Sequence, residues 1–217
     1  MSDIYKTISQ RSEGEFRDKG SKFIAYAFPL VYPDDWHEQL DSIKKLHPKA
    51  RHHCFAFRYG MDKNNFRAND DGEPSGTAGF PILGQIDSFG LTNVFVVVIR
   101  YFGGTLLGTS GLKNAYKTST HEALASANII EKTIENIYSF TFGYEIMNEV
   151  MNALKKLDIH VLNKSFTDIC QLQIGIPTSK VDEIFLQLRI QIHHLHQEEA
   201  ELLEGIEGVE IEFIRQI

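Results

Sequence analysis

Cysteine is scarce in this sequence, and the two cysteines lie far apart. Cys54 and Cys170 each fall in a run of residues typical of a β-strand. Two such residues cannot form the disulfide framework of a small secreted domain, and a free cysteine usually behaves as a small buried hydrophobe. We therefore expect two reduced, buried thiols, with no redox or metal-binding role for either.

Long apolar runs are absent as well. No run approaches the roughly 20 residues that a helix needs to cross a bilayer. The N-terminal stretch MSDIYKTISQRSEGEF also lacks the apolar core of a signal peptide. We therefore expect a cytoplasmic protein with no membrane partner. The 217 residues can form one large core or two small ones, and the usual size of domains favours two.

Basic charge is in short supply, and the formal net charge is −7. Residues 1–135 hold 16 Lys and Arg against 16 Asp and Glu, whereas residues 136–217 hold 6 against 13. An acidic C-terminal part repels phosphate backbones, so any contact with RNA should fall in the neutral first part. A general nucleic-acid binder is not expected. The change in charge also marks a predicted boundary between domains at 1–135 and 136–217.

The most informative stretch runs from Gly90 to Tyr116 as GLTNVFVVVIRYFGGTLLGTSGLKNAY. Its residues 94–99 are all β-branched or aromatic, which predicts a strand buried on both sides. The apolar residues beyond the glycines recur at helical spacing, and Thr109 or Ser110 is placed to cap that helix. The predicted unit is a strand, a glycine loop and a helix.

The glycines of this unit suit a ligand, because Gly103, Gly104, Gly108 and Gly111 let the backbone approach it closely. The helix N-terminus beyond them would offer unpaired N–H groups to an anion. The same glycines equally serve to turn the chain and to pack the helix on the strand. Neither GxxxxGK[ST] nor GxGxxG is present, so the usual nucleotide-binding loops are not indicated.

A second informative stretch, FRANDDGEPSGTAGFP at residues 66–81, predicts a polar loop that opens a helix. Its three carboxylates, Asp70, Asp71 and Glu73, could hold a hard cation or form a solvated turn that caps the helix, and we favour the turn. Ser75 is a weak nucleophile candidate, because its surroundings do not reproduce the GxSxG pattern.

We expect the two loops to lie together at one binding site. Arg100 stands where the apolar strand meets the glycines, so its side chain should emerge there to bind phosphate or carboxylate, or else pair with an acidic residue of the second loop. No catalytic residue, metal ligand or cofactor is assigned. The candidate ligand- or partner-binding residues are Arg100, Tyr101, Gly103, Gly104, Gly108, Gly111, Asp70, Asp71, Glu73, Ser75, Thr77 and His53.

The rest of the chain alternates strands and helices. Strands are expected within residues 4–30 and 51–59, with a helix at 36–47 between them. From residue 136 the order becomes βαββαβ, which builds a four-stranded sheet with two helices on one face. Residues 198–207 should form an acidic face or loop.

The stretches RANDDGEPSGTAGFPIL and NVFVVVIRYFGGTLLGTSGLKNAY resemble the IMPACT family, over essentially the whole chain. The resemblance implies an α+β fold of two domains, the first like domain 2 of ribosomal protein S5 and the second ferredoxin-like (βαββαβ). It also implies a link to translation. Eukaryotic members bind a large ribosome-associated regulator and restrain the kinase that lowers translation initiation in amino-acid starvation, and bacterial members have a suggested link to nucleic acid or translation.

Three functions follow as hypotheses. The first is a non-enzymatic regulatory protein that meets a ribosome-associated protein or RNA through a groove lined by Arg100, Tyr101 and the two loops. The second is a small-molecule enzyme that binds a phosphate-containing, anionic ligand at the glycines, although no base is obviously paired with a nucleophile. The third makes the C-terminal domain a protein-interaction module. The first is favoured over catalysis.

Overall fold

The structure is a computed structural model that describes residues 3–61 and 64–216. The chain divides into two compact units. The N-terminal unit is Tyr5–Lys132, and the C-terminal unit is Thr133–Ile217 together with Met1–Ile4. Both units mix helices with β-sheets, so the α+β class is confirmed. No helix among the described residues is long and apolar enough to cross a membrane.

The N-terminal unit is built on a five-stranded sheet of order β2-β3-β6-β4-β5 whose neighbouring strands are all antiparallel. A separate two-stranded sheet pairs β1 with β7. The elements in chain order are β1 (Ile4–Ile8), β2 (Ser12–Asp18), β3 (Ser21–Pro29), α1 (Asp35–Leu46), β4 (His52–Tyr59), β5 (Asn65–Asn69), α2 (Gly79–Ser88), β6 (Val94–Tyr101), α3 (Gly108–Ala125) and β7 (Ile129–Thr133).

Strand β6 lies at the centre of this sheet, and every residue of it except Tyr101 is buried. Its alternate side chains enter two different cores, as the pleat of a strand requires. Val96 and Val98 pack in a cluster with residues of α2 and α3. Val97 and Ile99 pack in a second cluster with residues of α1. The prediction of a strand buried on both sides is confirmed.

The C-terminal unit holds a four-stranded antiparallel sheet of order β11-β8-β10-β9 over its own apolar core. Its strands and long helices follow the predicted order βαββαβ, and one short helix overlaps the start of the stretch expected to be an acidic face or loop. The elements are β8 (Glu135–Phe142), α4 (Met147–Lys156), β9 (His160–Phe166), β10 (Cys170–Pro177), α5 (Val181–His193), α6 (Gln197–Glu201) and β11 (Val209–Gln216).

Two local predictions need correction. The polar stretch at 66–81 begins as strand β5, because its backbone pairs with β4 even though most of its side chains face solvent. Helix α3 begins at Gly108, so Thr109 and Ser110 lie inside its first turn and no side chain caps it. Cys54 and Cys170 are free and buried, as expected.

Candidate functional site

Four polar side chains meet inside the N-terminal unit. The Arg100 Nη1 atom donates to both carboxylate oxygens of Glu73, at 2.6 and 2.9 Å. The Tyr116 hydroxyl donates to the same Glu73 carboxylate at 2.8 Å, and the Cys54 thiol lies 3.2 Å from that hydroxyl. Glu73 is 8% exposed, Arg100 7%, and Tyr116 and Cys54 0%. The cluster is therefore a buried ion pair with a hydroxyl and a thiol behind it.

Arg100 enters this cluster because of its register on the central strand. It pairs across the sheet with Phe23 on β3 and His52 on β4, and its guanidinium carbon lies 5.6 Å from the Phe23 ring. The expectation that its side chain emerges at the end of the strand is wrong. The alternative expectation, an ion pair with an acidic residue of the second loop, is confirmed with Glu73 as the partner. The Arg100 Nε atom is buried without a hydrogen-bond partner among the described residues.

Asp70 holds the second loop against helix α2. Its carboxylate accepts hydrogen bonds from the backbone N–H groups of Gly76, Ala78 and Gly79 at 2.8 to 2.9 Å. Burial works against ionisation of this carboxyl, but the three N–H donors outweigh it and lower the pKa of Asp70. The predicted solvated, helix-capping turn is therefore correct only in part, because Asp70 bonds the start of α2 whereas Glu73 is buried in the ion pair with Arg100.

Asp71 turns away from the buried cluster toward the neighbouring strand. Its carboxylate accepts a hydrogen bond from the His53 N–H at 2.6 Å, and its carbonyl lies 2.8 Å from His52 Nδ1. The His53 ring is 9% exposed overall, and its Nε2 atom has no partner among the described residues. Burial lowers the pKa of His53, and the nearby Asp71 only partly opposes this. Burial therefore favours the neutral form of the His53 imidazole.

Tyr101 and Arg100 do not line one groove, because consecutive residues of a strand point to opposite faces. The Tyr101 hydroxyl lies 2.9 Å from His47 Nδ1, and the Tyr26 hydroxyl lies 2.7 Å from His47 Nε2. His47 follows the last residue of α1 directly. Tyr101 therefore belongs to the face that α1 covers, and the expectation of a shared groove with Arg100 is corrected.

The glycine loop between β6 and α3 contains one close backbone contact and two open positions. A side chain at Gly103 would overlap the backbone of Gly20 and Ser21, and its N–H donates to Ser21 Oγ at 3.1 Å. Gly104 and Gly108 adopt positive φ angles of 86° and 72° and have open space beside them. Gly103 therefore packs the loop on the β2–β3 turn, and the other two leave backbone accessible.

The remaining candidates are dispersed. Thr77 is buried, and its hydroxyl donates to the Pro74 carbonyl at 2.6 Å. Ser75 is exposed in the same loop, and Gly111 lies within helix α3 next to the Leu107 side chain. The structure thus brings Glu73 and Arg100 together, whereas most other candidates serve local turns.

The chemistry available in the N-terminal unit is limited. Burial raises the pKa values of the Cys54 thiol and the Tyr116 hydroxyl, so neither is an active nucleophile near neutral pH. Within the part of the chain that the structure describes, no three His, Cys, Asp or Glu residues converge in a way that could hold a metal ion.

Sequence reasoning missed four residues of this region. Tyr116 and Cys54 fit apolar patterns in the sequence. Only the hydroxyl of Tyr116 and the thiol of Cys54 indicate that each could form a hydrogen bond. Phe102 and Leu106 were not singled out, yet they are 51% and 82% exposed around the glycines of the loop. Two large apolar residues beside glycines, outside any helical or alternating pattern, are the signal that could have found them.

Comparison with known proteins gives the family. Residues 19–124 match the Impact N-terminal domain. The chain is 35% identical over 151 residues to the IMPACT family member YigZ of Escherichia coli (strain K12), which covers 69% of this chain and 74% of YigZ. These matches show that the chain belongs to the IMPACT family.

Further relatives extend the comparison. YvyE of Bacillus subtilis (strain 168) is 35% identical over 156 residues, covering 72% of each chain. Human Protein IMPACT is 36% identical over 103 residues, which is 45% of this chain and 31% of that protein. A solved structure titled as that of a hypothetical protein matches over 99% of both chains, with a TM-score of 0.71 and 27% identity.

Proposed function

We propose that this chain is a non-enzymatic regulatory protein of the cytoplasm that binds a component of the translation apparatus. Its contact surface is the loop between β6 and α3, and the partner is a ribosome-associated protein or RNA. The proposal includes domain identities: the N-terminal unit is like domain 2 of ribosomal protein S5, and the C-terminal unit is ferredoxin-like.

The observation that carries the proposal is that charged residues in and beside the two loops form internal ion pairs and hydrogen bonds. Glu73 and Arg100 neutralise each other in the interior, and Asp70 accepts three backbone N–H groups. Catalysis needs reactive groups that face a substrate, whereas here the charges stabilise the loops. The surface that remains includes the exposed apolar side chains of Phe102 and Leu106. Exposed apolar residues on a rigid support favour binding to a macromolecule.

Family membership supports the link to translation. The chain matches family members from two bacteria over about two thirds or more of its length, and the match to human Protein IMPACT covers 45% of it. The role that the family resemblance implies, restraint of a translational kinase through a ribosome-associated regulator, is of the same non-enzymatic kind.

The test is sedimentation of the full chain with ribosomes from its own cell, with and without nuclease. Leu106→Glu places a charge on the proposed surface, and Leu202→Glu is a matched control because the two leucines are 82% and 85% exposed. We expect Leu106→Glu to abolish co-sedimentation and Leu202→Glu to retain it. Retention after nuclease digestion indicates a protein partner, and loss indicates RNA. Equal binding by both variants contradicts the proposed surface.

A second candidate function is that of a small-molecule enzyme, which would bind a phosphate-containing substrate at the start of α3. It is favoured by the first turn of α3, which has no side-chain cap and no acidic residue. Ser110→Asp should stabilise the free helix through its dipole, by about 0.5 kcal/mol, and repel an anion. Thermal unfolding with pyrophosphate tests this. A rise in midpoint with pyrophosphate that Ser110→Asp abolishes supports the second candidate, and no rise contradicts it.

A further inference from the structure

The C-terminal unit contains a cavity of about 760 Å³ that none of the candidate site residues lines. Strands β8 and β11 form its floor with Tyr138, Ile211 and Phe213. One wall is a face of α5, and the other is the loop at residues 204–206. Cavities of roughly 300–1,000 Å³ are the usual size of ligand pockets, so this one is large enough to hold a side chain with its flanking backbone.

The sequence places these lining residues together in a simple way. Tyr138 and Phe213 are direct partners across the β8–β11 pair, and β11 is an edge strand that pairs only with β8. On α5, Asp182, Phe185 and Arg189 follow the i, i+3, i+7 spacing that puts side chains on one side of a helix. The Arg189 Nη1 atom donates to the Leu203 carbonyl, which attaches the loop to α5.

Three aromatic rings dominate the cavity. The Tyr138 ring meets the Phe185 ring edge-to-face at 5.0 Å between centroids, and the Phe213 ring in the same way at 5.7 Å. Phe213 is 54% exposed, so the apolar surface it offers is not covered by the unit itself. The face of an aromatic ring carries negative potential and attracts cations, most strongly where water is partly excluded.

The charges around the rings also favour a cationic ligand. Asp182 and Glu204 line the cavity, and neither forms an ion pair within residues 3–61 and 64–216. Arg189 also lines the cavity, donates to the Leu203 carbonyl and keeps its positive charge, and its Nε atom is buried without a partner among the described residues. Two carboxylates against one guanidinium leave the formal charge of the lining negative. Residues 136–217 as a whole hold 6 Lys and Arg against 13 Asp and Glu. The field of such a unit attracts cations and repels phosphate groups.

We propose that this cavity binds an arginine or lysine side chain carried by a basic segment of a protein partner. The faces of the rings contact the cationic group, and the two carboxylates balance its charge. Because the unit is acidic, nucleic acid is not the occupant. The site is independent of the loop surface proposed for the N-terminal unit, and each can fail without the other.

The test is an NMR titration of the full chain, labelled at the rings of phenylalanine and tyrosine and at the methyl groups of isoleucine. The probe is a blocked five-residue peptide with a central arginine, and its control carries citrulline, which has the same shape without the charge. We expect shifts concentrated at Tyr138, Phe185, Phe213 and Ile211. Citrulline should weaken binding by about fivefold or more, as expected for loss of an ion pair near the surface.

Two matched variants test the carboxylates. Asp182→Asn with Glu204→Gln removes both lining charges, whereas Glu183→Gln with Glu207→Gln removes the same charge from neighbouring exposed positions. The first variant should lose affinity about fivefold more than the second. Equal losses, equal binding of both peptides, shifts at other residues, or binding of an oligouridylate in this cavity overturns the proposal. Unchanged thermal unfolding of both variants shows that the comparison concerns binding alone.

Discussion

Replacing Arg100 tests whether the polar residues of the two loops stabilise the fold. Glu73 is 8% exposed, and without Arg100 the one side-chain donor left to its carboxylate among the described residues is the Tyr116 hydroxyl. Removing one partner of a buried ion pair typically costs about 3–5 kcal/mol of unfolding free energy, because the remaining charge has lost its compensation. We expect a loss in that range for Arg100→Ala and a comparable one for Glu73→Ala.

The double variant separates an ion pair from two independent effects. Arg100→Ala with Glu73→Ala removes both charges, so its loss should be smaller than the sum of the single losses by about 2–3 kcal/mol. Trp36, the only tryptophan in the chain, lies in the core of the N-terminal unit, so its fluorescence during denaturation with urea reports that unit. Arg17→Ala is the control, because the side chain of Arg17 is 70% exposed and its loss should leave the midpoint unchanged. An Arg100→Ala midpoint within about 0.5 kcal/mol of the original refutes the reasoning.

Three further outcomes are expected. Gly103→Ala should destabilise the N-terminal unit by about 1–3 kcal/mol, since its methyl group overlaps the backbone of Gly20. Gly84→Ala, inside α2 with open space beside it, should stabilise the unit by up to about 1 kcal/mol, and urea denaturation checks both. Burial lowers the pKa of His53, so the stability it contributes is present above about pH 6.5 and decreases as the pH falls below that value. Denaturation at pH 5 to 8 should show a smaller loss on acidification for His53→Gln, and an unaltered pH dependence contradicts this.

Much of the fold follows from local patterns in the sequence. Strand β6 and the body of α3, though not its first residue, were predictable, because a solid apolar run and a 3.6-residue period leave few alternatives. The order of elements after residue 136 was predictable for the same reason. Strand β5 was not, because its polar side chains resemble a loop and only its backbone pairing with β4 makes it a strand.

The site was less predictable than the fold. That Arg100 pairs with Glu73, and not with Asp70 or Asp71, depends on how a loop folds back over 27 residues of chain. Three neighbouring carboxylates look alike in the sequence, yet Asp70 caps a helix and Asp71 turns toward β4. Which carboxylate pairs with which group depends on tertiary packing, and local sequence patterns do not reveal that packing.

The most direct test of the central claim is photo-crosslinking in living cells from a reactive amino acid placed at position 106 or at position 202. The two leucines are 82% and 85% exposed, so both positions are equally accessible and differ only in where they lie on the protein. The account predicts that position 106 crosslinks to a component of the translation apparatus and that position 202 does not. Identical adducts at both positions, or none from the translation apparatus at position 106, would contradict it.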